Sequence, residues 1–329
     1  MKLLFNITVF TSLILSTGAH AVKLKFAVLA PKQTSWGKSL VKMTKEIKKA
    51  TNNQVKFKIY YGGVKGDEPV VRRLINSKLL DGGIFTGKTL GEINGDVRVM
   101  ELPFTYFGNN SKALNNLTNL QGYFNKGFQK RNYENLGFFE LGSVYFVSQK
   151  KTVSLDSLKG LKIWSWPGDN LVEAMIKEMN LISVPAPLTD VLSSLSTGII
   201  EAAYAPPLGI LALQWNTKVK YLVEFPISYS IGAFLVHKES WKKVPAEHQA
   251  TVKKIVSKYV DVINGANKED NKIALDEMKK SGVKFLKFSD EDIKKAEHLR
   301  SKIISRLLSQ GNLFSKDALT KLETEISKK

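Results

Sequence analysis

From Val22 to Leu29 the chain alternates between apolar and polar side chains, which predicts a first β-strand. Ser35 to Thr51 places Trp36, Leu40 and Ile47 on one face at helical spacing, so a helix follows. Gln54 to Tyr61 returns to a period of two through Val55, Phe57, Ile59 and Tyr61, a second strand. Gly62 to Gly66 reads as a turn. Asp67, Glu68 and Pro69 then open another helix, with the acids at its positive end and proline where a missing N–H costs nothing. Gly83 to Thr86 predicts a short buried strand, and the stretch to about residue 110 is loop-rich around Glu101, Leu102, Pro103 and Phe104. A helix over about 111–131 precedes a strand-like run from Phe138 to Val147.

The second half repeats the rhythm: strand 161–166, helix 168–179, strand 181–184, helix 188–196 and strand 199–204. Residues 219–237 are apolar and β-prone, while 245–281 and 289–309 read as long amphipathic helices. Strands alternating with helices pack as mostly parallel sheets covered on both faces. Two such units joined by β segments predict an α/β fold of two lobes around a cleft. No low-complexity linker or internal repeat separates them, so the hinge is expected to be built from strands.

Composition narrows the chemistry. A length of 329 residues suits about two domains. The absence of cysteine excludes a disulfide framework, a thiol nucleophile, a c-type haem attachment and an iron–sulfur cluster. Lys2 followed by the apolar run from Leu3 to Leu15 and then Ala19-His20-Ala21 reads as a secretory signal peptide over 1–21. Cleavage after Ala21 removes one lysine and no acid from a net charge of +19. A lipid anchor is not expected without cysteine, and the predicted product is a soluble exported protein. Only six of the 49 cations are arginine, the residue suited to bidentate phosphate recognition, so a solvated lysine surface is expected rather than a nucleic-acid face.

Gly82 to Thr89 fits G-x-x-x-x-G-K-[ST], the phosphate-cradling loop. That mechanism needs a strand before the first glycine. Here Leu79, Leu80 and Asp81 finish a helix and the apolar strand lies inside the motif, so the match is read as fortuitous. His237, His248 and His298 show no metal-ligand or catalytic spacing, and no G-x-S-x-G elbow is present. No catalytic residue, metal or cofactor is expected. The aromatic cluster Ile163-Trp164-Ser165-Trp166-Pro167-Gly168 ends a strand and opens a helix, where open α/β sheets bind ligands. Both tryptophans fall on one face, which suits a ligand cleft equally with core or inter-lobe packing. Tyr204 and Ala205 end another strand on the same rim.

Together these residues resemble the solute-binding subunits of TRAP (tripartite ATP-independent periplasmic) transporters. The likeness runs from Phe26 to Pro31 with Trp36, through Tyr61 to Gly63, Gly66 to Glu68 and Leu102 to Phe104. It continues over Asp156 to Ile163, Thr197 to Glu201 and Phe234 to Lys238. It implies a periplasmic-binding-protein-like fold with hinge strands and a long connecting helix, closing on a small molecule and delivering it to membrane permease subunits without catalysis. Lobe I would comprise 22–142 and about 231–268, and lobe II 143–230 and about 269–329.

Three polar anchors implied by the resemblance are replaced: the carboxylate-clamping arginine by Trp164, a second arginine by Val144, and an asparagine by Ala205. A guanidinium pairs bidentately with a carboxylate, whereas indole offers one N–H and a broad apolar face. The expected ligand is therefore less acidic and more apolar or aromatic than small organic acids, and stacking could hold a sugar or a cation. Trp36, Phe85, Thr86, Trp166, Leu188 and Tyr204 are expected around it. Lys88 is either a solvated loop lysine or a replacement charge for an anionic ligand. The alternatives are a periplasmic carrier of hydrophobic molecules and a binding-protein scaffold reused for protein–protein contact.

Overall fold

The structure is a computed structural model describing residues 21–311 and 313–328. The expected signal peptide, but for Ala21, lies outside the described residues. The chain opens with β1 (Val22–Val28), α1 (Ser35–Ala50), β2 (Val55–Tyr60), α2 (Glu68–Asn76), β3 (Gly82–Thr86) and α3 (Gly87–Ile93). The side chain of Thr34 caps α1 and that of Asp67 caps α2, satisfying backbone N–H groups that a helix start leaves free. A 3-10 turn (Gly95–Glu101) leads to α4 (Asn110–Gln129) and the 16-residue β4 (Tyr133–Ser148).

The second half adds β5 (Lys162–Ser165), α5 (Asn170–Glu178), β6 (Ile182–Pro185), α6 (Val191–Thr197), β7 (Ala202–Ala205) and α7 (Pro207–Ala212). Then come β8 (Tyr221–Val223), β9 (Ser228–His237), α8 (Lys238–Trp241), the 35-residue α9 (Ala246–Lys280) and β10 (Lys284–Leu286). Two helices close the chain, α10 (Asp290–Gln310) and α11 (Lys316–Ser327).

The sheet runs β2-β1-β3-β9-β4-β7-β5-β6, with β8 beside β4 and β10 beside β8. Within each lobe the βαβ crossovers give parallel pairs, and β9 and β4 add antiparallel ones. β4 joins the lobes: it pairs with β9 up to Val144 and with β7 from Tyr145 onward. Two register shifts bend it, between Asn135 and Phe138 and between Glu140 and Gly142. Gly142 has a φ of 104°, which a residue with a Cβ rarely adopts.

The bulge frees backbone groups, and α9 takes them up with one stripe of asparagines. Asn264 Oδ1 accepts from the Glu140 N–H at 2.9 Å, Asn267 Nδ2 donates to the Glu140 carbonyl at 2.7 Å, and Asn271 Nδ2 donates to the Leu141 carbonyl at 2.8 Å. Asn271 Oδ1 also accepts from Leu208 N–H in lobe II at 2.9 Å. The hinge is thus a bulged strand strapped to a long helix.

Two features differ from the sequence reading. The loop-rich stretch before residue 110 contains α3 and the 3-10 turn, both fixed by burial of Leu90, Ile93, Val97 and Val99. α11 was not anticipated. It packs on α4 and the 3-10 turn of lobe I, with Ala318 and Leu322 in the core there and Asn119 donating to Glu325, rather than on lobe II where 269–329 was placed. The phosphate-loop match fails as expected, since β3 occupies its first five positions and α3 begins at Gly87.

Candidate ligand cleft

A cavity of about 210 Å³ lies between the lobes. A cavity of ~150 Å³ suffices for benzene. Trp36, Thr86 and Lys88 line it from lobe I, and Val144, Trp164, Trp166, Leu188, Tyr204 and Ala205 from the hinge and lobe II. Phe85 does not. It is 1% exposed and packs inside the lobe I core, because strand alternation turns it away from the face that carries Ile84 and Thr86 into the wall. Trp215 and Tyr229, which the sequence reading passed over, complete an aromatic lining that uses four of the chain's five tryptophans.

The lobe II aromatics form one packed group. The rings of Trp164 and Tyr204 stack at 5.0 Å, and Trp166 and Trp215 lie 5.4 and 5.6 Å from Trp164. Trp164 Nε1 donates to the Ala186 carbonyl at 2.9 Å, which fixes the ring's orientation. Trp166 Nε1 reaches across the cleft to Asp67 Oδ2 at 2.7 Å, and the same oxygen accepts from the Leu188 N–H at 3.2 Å. Asp67 therefore caps α2 and ties the lobes together. Trp36 packs on Phe139 with centroids 5.1 Å apart, and its indole N–H has no partner.

The sequence reading left the cleft without a guanidinium, and the structure corrects that. Arg98 enters the wall from the 3-10 turn of lobe I, 3% exposed. Two of its donors are taken by the chain itself: Nη1 donates to Glu101 Oε2 at 2.6 Å and Nη2 to Asp169 Oδ1 at 2.7 Å, while the buried Nε has no partner. Asp169 is the N-cap of α5 on lobe II, where the helix's positive end also favours a carboxylate, so this ion pair spans the cleft. Glu101 Oε1 accepts from the Ile231 N–H at 2.9 Å. Burial works against the charge on Arg98, but Asp169 and Glu101 outweigh it and hold the guanidinium firmly protonated.

Two glycines one helical turn apart on α3 make room for this group. A Cβ at Gly87 would sit 1.9 Å from a Glu101 carboxylate oxygen, and one at Gly91 would sit 2.5 Å from the Arg98 stem. Sequence spacing gave no sign of the cluster, because Arg98, Asp169 and α3 meet only in the folded chain. Lys88 is not a free point charge either. Its Nζ lies 2.5 Å from Glu92 one helical turn on.

Glu68 is the other acid in the wall. It is 2% exposed, and its carboxyl accepts from the Thr86 N–H at 2.9 Å and from the Thr86 hydroxyl at 3.2 Å, with no ion pair to a basic side chain among the described residues. Burial pushes its carboxyl up to about 7. Among the described residues no helix is long and apolar enough to cross a membrane, and no cluster has a metal-binding donor set.

Comparison with solved structures shows the same fold. The chain superposes on a TRAP periplasmic solute-binding protein from Desulfovibrio salexigens, solved with orotic acid, at a TM-score of 0.85 and 19% identity, covering 93% of this chain and 98% of that one. A Haemophilus influenzae TRAP protein solved with L-gulonate gives a TM-score of 0.85 at 19% identity, covering 92% and 99%. The C4-dicarboxylate-binding periplasmic protein DctP of Rhodobacter capsulatus is 24% identical over 272 residues, 80% of each chain. The model of the DctP family, the bacterial extracellular solute-binding proteins of family 7, matches residues 26–310, a span that contains the whole cavity wall, and the chain belongs to that family.

Proposed function

We propose that this solute-binding protein is an exported receptor, freed of its leader after Ala21, that closes on a small ligand with an apolar or aromatic body and presents it to TRAP membrane permease subunits. Trp36, Thr86, Val144, Trp164, Trp166, Leu188, Tyr204 and Ala205 are the proposed contacts, with Lys88 and its partner Glu92 at the edge. One observation carries the ligand class: the guanidinium in the wall is already bound to two carboxylates of the chain itself. A ligand carboxylate would be a third anion on a guanidinium that Glu101 and Asp169 already neutralise, and a buried charge without its own counter-charge costs several kcal/mol.

The relatives named above were solved with or named for carboxylates, so this chain departs from them in ligand rather than in fold. A carrier of lipids would need an elongated tunnel, and a scaffold reused for protein contact would have Trp164 filling the cleft. The open volume between the lobes favours a small molecule over both.

A thermal-shift comparison tests the reading. A ligand at 100 times its Kd adds about 2.7 kcal/mol, a shift of several degrees for a chain of this size. Benzyl alcohol and indole are expected to raise Tm, and succinate and galacturonate to leave it unchanged. A rise with succinate would overturn the ligand class.

A further inference from the structure

The cavity carries more negative than positive groups in a chain whose overall charge is +19. Among the described residues of its wall, Glu68, Glu101 and Asp169 stand against Arg98 and Lys88. The two cations are consumed locally, Arg98 by Glu101 and Asp169, and Lys88 by Glu92, which lies outside the wall. Glu68 remains, buried on lobe I with threonine hydrogen bonds and no counter-charge. The same wall carries Trp164, Trp166, Tyr204 and Trp215, four aromatic rings packed as one group on lobe II.

A carboxylate and aromatic rings in the wall of one cavity are the two groups that stabilise an organic ammonium, the first by charge and the second by cation–π attraction. We propose that the ligand is an organic cation, an amine or quaternary ammonium on an apolar body, with Glu68 as its counter-charge. The proposal rests on the apolar-ligand reading above and sharpens it: an ammonium supplies the charge that Glu68 lacks, and closure of the lobes removes both from water.

Three probes sharing one ring separate charge from shape: benzylamine, benzyl alcohol and benzoate, titrated calorimetrically into the full mature protein. At pH 8 benzylamine is expected to bind at least tenfold more tightly than benzyl alcohol, and benzoate not to bind. Glu68→Gln should bring the amine-to-alcohol ratio near one. A second readout needs no variant. Benzylamine stays charged from pH 6 to 8, and its affinity should rise about tenfold over that range as Glu68 ionises, while that of benzyl alcohol stays flat. Asp67 beside Glu68 on α2, Lys88 and Glu92 on α3, Arg98 and Glu101 on the 3-10 turn and Asp169 on α5 are the other charged groups around the site, and all but Glu68 are ion-paired or capping a helix. Equal binding of amine and alcohol, without pH dependence, would overturn the cation and leave the apolar cleft standing. Benzoate binding most tightly, or none of the three binding, would overturn both.

Discussion

At the scale of single residues, Glu68 and Gly87 show what the cleft costs to build. The Glu68 carboxyl sits at about 7 when folded, against 4.5 for an ordinary glutamate, because burial disfavours its charged form. Between those two values the folded chain holds a proton that the unfolded chain has lost, so stability falls as pH rises through the window. The full penalty, of order 3 kcal/mol, is present above about pH 7. Glu68→Gln removes it, and the difference in urea unfolding free energy between variant and parent is expected to move in the variant's favour from pH 5 to pH 8. A difference that stays constant with pH would contradict the placement of that carboxyl. Gly87→Ala should cost about 3 kcal/mol, because its Cβ would fall 1.9 Å from a Glu101 carboxylate oxygen and force apart a buried ion pair. Circular-dichroism melts check this, and a neutral substitution would show that the pair can move aside.

Among the elements, β4 and α9 decide how the lobes move. The bulge at Glu140 to Gly142 is tolerated because Asn264, Asn267 and Asn271 fall on one face of α9 and satisfy the strand's freed backbone groups. Asn267→Ala strands the Glu140 carbonyl and is expected to cost about 1–3 kcal/mol. Hydrogen exchange should then quicken along Phe139 to Ser143, and unchanged exchange there would argue against the strap. The strands and helices were legible in the sequence wherever the apolar period was regular, as in β1, α1, β2 and α9. What escaped were elements whose burial comes from distant partners. α3 packs on β9, the 3-10 turn on β9, α4 and α11, and α11 finds its partner in α4, about two hundred residues away. Trp164, Trp166 and Tyr204 were legible as strand-end residues, with cleft lining and packing equally open for the two tryptophans. Arg98 was not legible, since nothing local in Gly95 to Glu101 distinguishes it from a surface arginine.

For the whole molecule, three hydrogen bonds among the described residues tie the lobes across the cleft, Arg98 to Asp169, and Trp166 and the Leu188 N–H to Asp67. Opening must break them, which sets the balance that a ligand shifts. Asp169→Asn keeps the helix cap but loses the charge pair. At about 3 kcal/mol this is roughly a hundredfold in the closed-to-open ratio. The ligand-free variant should show a larger radius of gyration by X-ray scattering than the parent, and an identical profile would show that the tie does not hold the lobes. In this chain the family's fold coexists with an aromatic wall and a guanidinium that the chain neutralises for itself. Whether that guanidinium is available to a ligand decides the ligand class, and a crystal structure of the protein with its bound solute reads it directly. Arg98 is expected to keep Asp169 and Glu101 while the solute lies against Trp164 and Tyr204. A solute carboxylate seated on Arg98, with Asp169 pushed aside, would contradict it.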